Sequence, residues 1–180
     1  MRINYFTFAR GFGYCAPVEK KIKIVTATNQ DVETILDFIR QLAVYEKLEH
    51  EMVATPELIS QYLFGTEPRA EVVFVEVDSK KVGFALFFTS FSTFLSQPGI
   101  YLEDLFVLPD HRGQGFGKML LMHLARTALE RNYGRLEWSV LDWNKSAIEL
   151  YLSLGSEAMK EWTVHRLSGE SLRKLGHLSD

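Results

Sequence analysis

Apolar and polar positions change period several times along the chain, and each change predicts an element. Ile22-Lys23-Ile24-Val25-Thr26 is short and β-branched, which predicts a first strand. Thr28-Asn29-Gln30-Asp31 supplies capping residues. Val32, Ile35, Leu36, Ile39, Leu42 and Ala43 then fall at amphipathic helical spacing, running out at Tyr45-Glu46-Lys47. Thr55-Pro56-Glu57 starts a second, short helix, with Thr as N-cap, Pro at the first helical position and an acid in the first turn; it ends near Gly65. Residues 71–77 and 82–88 predict two strands joined by a hairpin turn at Asp78-Ser79-Lys80-Lys81. Residues 90–99, with Pro98 and Gly99, read as a loop, and residues 100–107 as the strand after it. Residues 117–131 form a helix with Leu120, Leu121, Leu124, Ala125 and Ala128 on one face. A strand at 136–140, a helix at 144–154 closed by Gly155, and a last strand at 162–167 complete the pattern. The fold class is α/β (α+β), with strands leading and β-α-β-α-β closing the chain.

The strand at 100–107 runs into the most informative segment, Arg112-Gly113-Gln114-Gly115-Phe116-Gly117-Lys118. Glycines here leave backbone N–H groups uncovered where a helix begins. The first N–H groups of a helix have no intrahelical partner, and its dipole favours negative charge, so this is an anion site. Arg112 and Lys118 add positive charge, and the loop reads as a pyrophosphate cradle. A dinucleotide fingerprint needs G-x-G-x-x-G, and Gly117 stands one position early for it. A Walker A loop needs a hydroxyl after Gly-Lys, and Met119 stands there instead.

Composition narrows the classes. The chain has 180 residues, enough for one domain that buries roughly two-thirds of its unfolded surface. We expect an extension over 1–20, one domain over 21–175 and a tail over 176–180. A net charge of −3 argues against a general nucleic-acid binder, and no apolar run reaches the length of a membrane span. The single cysteine, Cys15, has no partner for an internal disulfide, which suits a reducing cytoplasm. The five histidines show no paired metal-ligand spacing, so no metal is expected.

Arg112-x-x-Gly115-x-Gly117 fits the glycine loop of the GNAT-type N-acetyltransferases. The chain more specifically resembles the diamine and polyamine N-acetyltransferase family over roughly residues 22–175. The residues that carry the likeness are Leu42-Ala43-x-Tyr45-Glu46, Tyr101-Leu102-Glu103-Asp104, the glycine loop, and Val140-Leu141-Asp142-Trp143-Asn144 with Leu150-Tyr151 and Leu154-Gly155. The Leu-Asp-Trp-Asn form, with Ser92-Thr93, is similar to the thialysine-acetylating branch. The segment between Gly155 and Trp162 is shorter than in vertebrate members. The resemblance implies a GNAT fold, a central mixed and mostly antiparallel sheet with splayed middle strands flanked by helices. It also implies a homodimer, acetyl-coenzyme A as acetyl donor, and direct attack by a small primary amine in a ternary complex.

Three chemical tasks assign the residues. An alkylammonium must lose a proton, and at neutral pH it is neutral in only about one molecule in a few thousand, given a pKa of about 10.4. Glu103, on the strand entering the glycine loop, is the expected base, acting through a water. Asp104 falls on the opposite face if the strand is regular; it would contact the substrate across a bulge or a dimer interface, and ranks below Glu103. Backbone N–H groups at Leu105-Phe106-Val107 are expected to polarise the thioester and pair with the pantetheine amides. Tyr151 is expected to protonate the departing thiolate; from composition alone it reads as a core aromatic, and the family spacing Asn144-x-x-Ala147-x-x-x-Tyr151 reverses that. The resemblance places the coenzyme on Leu105, Phe106, Val107, Arg112, Gly113, Gln114, Gly115, Phe116, Gly117, Lys118, Asn144, Ser146 and Tyr151. It places the amine on Tyr45, Glu46, Glu103 and Asp104. Two other readings keep the cradle: an acceptor that is a protein amine or an aminoglycoside, and a regulatory coenzyme-binding module without turnover.

Overall fold

The structure is a computed structural model and describes residues 20–178. The expected N-terminal extension and Cys15 lie outside these residues. By its internal contacts the chain divides after Ser139 into two compact units, Met1–Ser139 and Val140–Asp180.

The first unit is a five-stranded sheet in the order β1-β2-β3-β4-β5. β1 (Ile22–Thr26), β2 (Glu71–Val77), β3 (Lys80–Ser92) and β4 (Gln97–Val107) pair antiparallel, and the short β5 (Leu136–Trp138) pairs parallel to β4. The mixed, mostly antiparallel sheet is as expected. Two predicted boundaries move. The turn between β2 and β3 is only Asp78-Ser79, both at positive φ (49° and 67°), the geometry of a type I′ hairpin. The expected loop at 90–99 is instead the tip of a second hairpin, because Phe91 pairs with Pro98 and Ser90 with Gly99. Pro98 lies beyond the last residue paired with β5, so its missing N–H costs that ladder nothing. At Gly99 a Cβ would come within 2.7 Å of Arg135 Cγ, so only glycine fits the approach.

α1 (Val32–Glu46) and α2 (Pro56–Phe64) pack on one face of this sheet. α1 starts where the Thr28 backbone N–H donates to Asp31 Oδ2 at 2.9 Å, and Lys81 pairs with the same carboxylate. It ends at Lys47, whose left-handed φ of 62° turns the chain out. Phe38 of α1 meets Phe74, Phe84 and Phe106 at ring-centroid distances of 5.7, 5.1 and 6.4 Å. This aromatic layer anchors the C-terminal half of α1 against β4, and each such ring contributes roughly 1.5–3 kcal/mol by burial. α3 (Phe116–Glu130) buries Leu120, Leu121, Leu124 and Ala128 in the core. Arg131, just after it, makes a bidentate pair with Glu71 of β2 at 2.6 and 2.7 Å.

The second unit holds α4 (Lys145–Ser153) and α5 (Gly169–Gly176). α4 is capped by the Asn144 side chain, which accepts from the Ala147 N–H at 3.4 Å, and is followed by Gly155 at φ 87°, as the sequence indicated. The strand expected at 162–167 is not formed. No strand pairing among the described residues extends past Trp138, and Trp162 and Val164 are 70% and 77% exposed. A β-branched, aromatic segment becomes a strand only where a neighbour takes its backbone groups.

Candidate active site

β4 carries an irregularity where the two acids interrupt its apolar run. Leu86 of β3 pairs with Asp104, but Phe87 pairs with Leu102, so Glu103 is an extra residue, a β-bulge. The bulge reverses the alternation of β4. Leu86 packs against the cluster that contains Phe38 and Phe106, and directly opposed residues share a face. Asp104 therefore faces the α1 side with Phe106, while Leu102, opposite Phe87, takes the other side. The expectation that Glu103 and Asp104 point to opposite faces assumed a regular strand, and the bulge removes that assumption.

The electrostatics follow. Burial pushes the Asp104 carboxyl up to about 7, with the charges of Glu103 and then Glu46 adding to the rise. Burial also raises the Glu46 carboxyl. Three carboxyls from two elements thus share one field at the C-terminal end of α1. Repulsion among them is relieved by a bound cation or a shared proton.

Arg112 ties this corner to the glycine loop. Its Nε donates to the Val107 carbonyl at 3.0 Å. Its guanidinium lies 4.5 Å from the Tyr45 ring centroid and 5.1 Å from that of Phe106. The expected coenzyme contact of Arg112 was read from sequence as charge for the phosphates. In the structure the side chain fastens the loop to the ends of β4 and α1. Tyr45 and Glu46, where the resemblance places the amine, are by this stack held against β4.

The loop has the form of an anion cradle. Gly113 and Gly115 sit at φ 73° and 83°, and a Cβ built on either meets no atom within 4 Å, so open space lies in front of the backbone. Met119 N–H donates to Gly115 O at 3.0 Å, so Phe116, Gly117 and Lys118 hold the first N–H groups of α3, which have no intrahelical acceptor. Gln114 is held by a contact from its Nε2 to the Asp110 carbonyl at 3.5 Å. β4 also runs on to Val107 although its pairing with β5 stops at Leu102. The β5-facing edge of Leu105, Phe106 and Val107 is thus without a partner strand among the described residues, open for an extended ligand to pair with. Both features fit coenzyme A: a cradle for its pyrophosphate and a strand edge for its amides.

Tyr151, Asn144 and Ser146 lie in the second unit, on α4 and its cap. Tyr151 is half-buried, and Ser146 Oγ donates to Asn144 Oδ1 at 3.3 Å. Sequence reasoning allowed for a bulge at Asp104 without placing it, and missed the Arg112 stack. A signal for the bulge was present, since two adjacent acids in an otherwise apolar strand break its period. Among the described residues no group of three or more His, Cys, Asp or Glu could hold a metal ion, and no helix is long and apolar enough to cross a membrane.

Comparison with known proteins agrees with this geometry. The sequence model of the acetyltransferase (GNAT) family matches residues 34–155. The chain is 36% identical to a thialysine N-epsilon-acetyltransferase of Bos taurus, over 86% of this chain and 96% of that one. It is 32% identical to an L-ornithine N5-acetyltransferase of Arabidopsis thaliana, over 87% and 89%. Among solved structures, an integron cassette protein of V. cholerae superposes with a TM-score of 0.73 at 26% identity, covering 87% of this chain and 98% of that one. An aminoglycoside acetyltransferase from a soil metagenome shares the fold, with a TM-score of 0.68 at 19% identity over 82% and 95%.

Proposed function

Because the chain belongs to the acetyltransferase (GNAT) family and is an enzyme that transfers acetyl groups to amines, we propose that its acceptor is a small cationic molecule with a primary amine, of the diamine, polyamine or lysine-analogue class. The observation that carries this reading is the convergence of Glu46, Glu103 and Asp104 at the end of α1, with the Asp104 carboxyl raised to about 7. Relatives named for thialysine and ornithine, both amino acids with a side-chain amine, support it.

The three carboxyls attract the ammonium and strip its proton. Glu103 faces solvent and receives the cation first, passing the proton through a water. Asp104, coupled to it and raised to about 7, is a stronger proton acceptor than an ordinary carboxylate, and the pair titrates as a unit. Acetyl-coenzyme A, the donor that the family implies, supplies the thioester. The amine nitrogen bonds to its carbonyl carbon as the carbon–sulfur bond breaks, and the sulfur leaves as thiolate. The N–H groups of the Leu105–Val107 segment hold the carbonyl oxygen, and those of residues 113–118 hold the pyrophosphate. Tyr151 gives the proton that converts thiolate to thiol; its place in Asn144-x-x-Ala147-x-x-x-Tyr151 supports this role. Asn144 and Ser146 complete the coenzyme contacts. A cytoplasmic homodimer without metal completes the reading.

A panel of amines assayed with acetyl-coenzyme A and thiol detection tests it. Turnover with ornithine, thialysine, putrescine or spermidine is expected. Turnover confined to aminoglycosides or protein amines, or none with any amine, would overturn it.

A further inference from the structure

We propose that Arg135 and Glu137, an ion pair on the sheet face beside the acidic corner, hold the α-carboxylate and α-ammonium of an amino-acid acceptor. The pair would make the enzyme prefer the side-chain amine of an amino acid to the matching plain diamine. This rests on the small-amine reading above and narrows it.

β5 places both residues on the α1 side of the sheet. Ile100 and Leu102 are buried on the other side, and Leu136 and Trp138 stand opposite them. Arg135 and Glu137 alternate with these two, so they point the opposite way. Glu137 stands opposite Tyr101, which stands opposite Phe88. A Cβ on Gly99 would lie 2.7 Å from Arg135 Cγ, so the Arg135 stem crosses this same face. On β3 and β4 the α1 cluster extends to Leu86 and Phe106. Beyond it Phe88 and Tyr101 are half-buried, and the Arg135 and Glu137 side chains are 34% and 40% exposed. The face is therefore open, and it adjoins Asp104, which stands opposite Leu86 on the same side.

The pair is close but incomplete. Arg135 Nε lies 2.7 Å from Glu137 Oε2, yet it makes no hydrogen bond. Ser90 Oγ, which also abuts the Cβ position of Gly99, is the other buried side-chain polar atom without a partner among the described residues. A structural pair looks different: Arg131 meets both oxygens of Glu71 with two N–H donors, at 2.6 and 2.7 Å. The Arg135 fork and the Glu137 carboxylate therefore keep hydrogen-bonding capacity for a ligand. An α-amino acid carries a carboxylate and an ammonium on one carbon, and a neighbouring guanidinium and carboxylate match both. A diamine offers only positive ends, and Arg135 repels the second of them. The spacing also fits. Asp104 and Tyr101 are one two-residue step of β3 apart, about 6.8 Å, and β5 lies about 4.8 Å to the side, so Asp104 and Glu137 are about 8 Å apart. Four or five bonds between an amine and its α-carbon span about 5–6 Å, which crosses that gap with a hydrogen bond at each end. The Phe88 and Tyr101 rings, 5.2 Å apart, lie between the two ends as an apolar floor for the chain's methylenes.

Initial rates with matched acceptors decide it. Putrescine is ornithine without its carboxylate, and the decarboxylated sulfide diamine stands in the same relation to thialysine. The wild type is expected to favour the amino acid of each pair by roughly tenfold to a hundredfold in kcat/KM, the range for hydrogen bonds to charged groups. Arg135→Gln should erase most of that preference, chiefly by raising KM for the amino acid. Arg135→Lys, which keeps the stem and the charge and so guards against loss of fold, should leave an intermediate preference. Glu137→Gln should weaken ornithine more than δ-aminovalerate, which lacks the α-amine. Equal efficiency of the wild type within each pair, a preference that survives Arg135→Gln, or Arg135 variants of native circular dichroism that slow both acceptors in proportion, overturns the assignment and leaves the small-amine reading standing. Turnover of none of these acceptors by the wild type overturns that reading, and the role of the pair with it.

Discussion

Removing the Asp104 charge should make the protein more stable and less active, and the size of the gain can be worked out. The Asp104 carboxyl rises from 3.8 to about 7 in the folded chain. That is a rise of about three units, and each unit is worth about 1.36 kcal/mol, so holding Asp104 ionised costs the native state at most about 4 kcal/mol. The sign is the reverse of the usual carboxylate. Between 3.8 and about 7 the native state binds more protons at this group than the unfolded state does. This group's contribution to stability therefore falls as pH rises through that window and levels off above it. Asp104→Asn removes the penalty. Urea denaturation of the wild type and the variant should give nearly equal stabilities at pH 4. The gap should then widen in favour of Asn, toward about 4 kcal/mol by pH 8. Titrating groups outside the acidic corner cancel in the difference, while Glu103 and Glu46, relieved of the Asp104 charge, add to the gain in the variant. At pH 8 the stabilised variant should also lose catalytic efficiency by roughly tenfold or more, the trade expected of a strained active site. A stability difference that does not change between pH 4 and 8, or one that shifts in favour of the wild type as pH rises, would refute the picture of a buried, repelled carboxyl.

Three further outcomes are expected. Gly115→Val places a β-branched residue at φ 83° and fills the space before the cradle, so coenzyme affinity measured by calorimetry should collapse in a protein that remains folded by circular dichroism. Glu103→Gln should lower kcat/KM by roughly 10²–10⁴ and change its pH profile; a wild-type rate and profile would leave Glu103 as a surface carboxylate. Tyr151→Phe keeps the ring and deletes the hydroxyl, so kcat should fall by about two orders of magnitude with coenzyme binding little changed. That loss should shrink for acyl donors with better leaving thiols, and an unchanged kcat with acetyl-coenzyme A would exclude the acid role.

Most local structure was legible in the residues, because it depends on near neighbours. Thr55-Pro56 starts α2, Asn144 caps α4, and the apolar spacing from Val32 to Ala43 makes α1; each is decided within a turn of helix. The form of the glycine loop was legible for the same reason: a helix start at Phe116 behind glycines at positive φ is a local property of those residues. The 162–167 segment shows where this stops. Its side chains suit a strand, but a strand exists only by pairing, and the sequence does not state what lies beside it. The acidic corner is likewise a tertiary product. Glu46 lies more than fifty residues before Asp104 in the sequence. Their coupling depends on the Phe38 layer that fixes α1 on β4, on the Arg112 stack over Tyr45, and on a bulge whose register is set by β3. Sequence names the acids; only the packed sheet decides which face they share, and that shared, partly dry face is what lifts the carboxyl toward neutral pH.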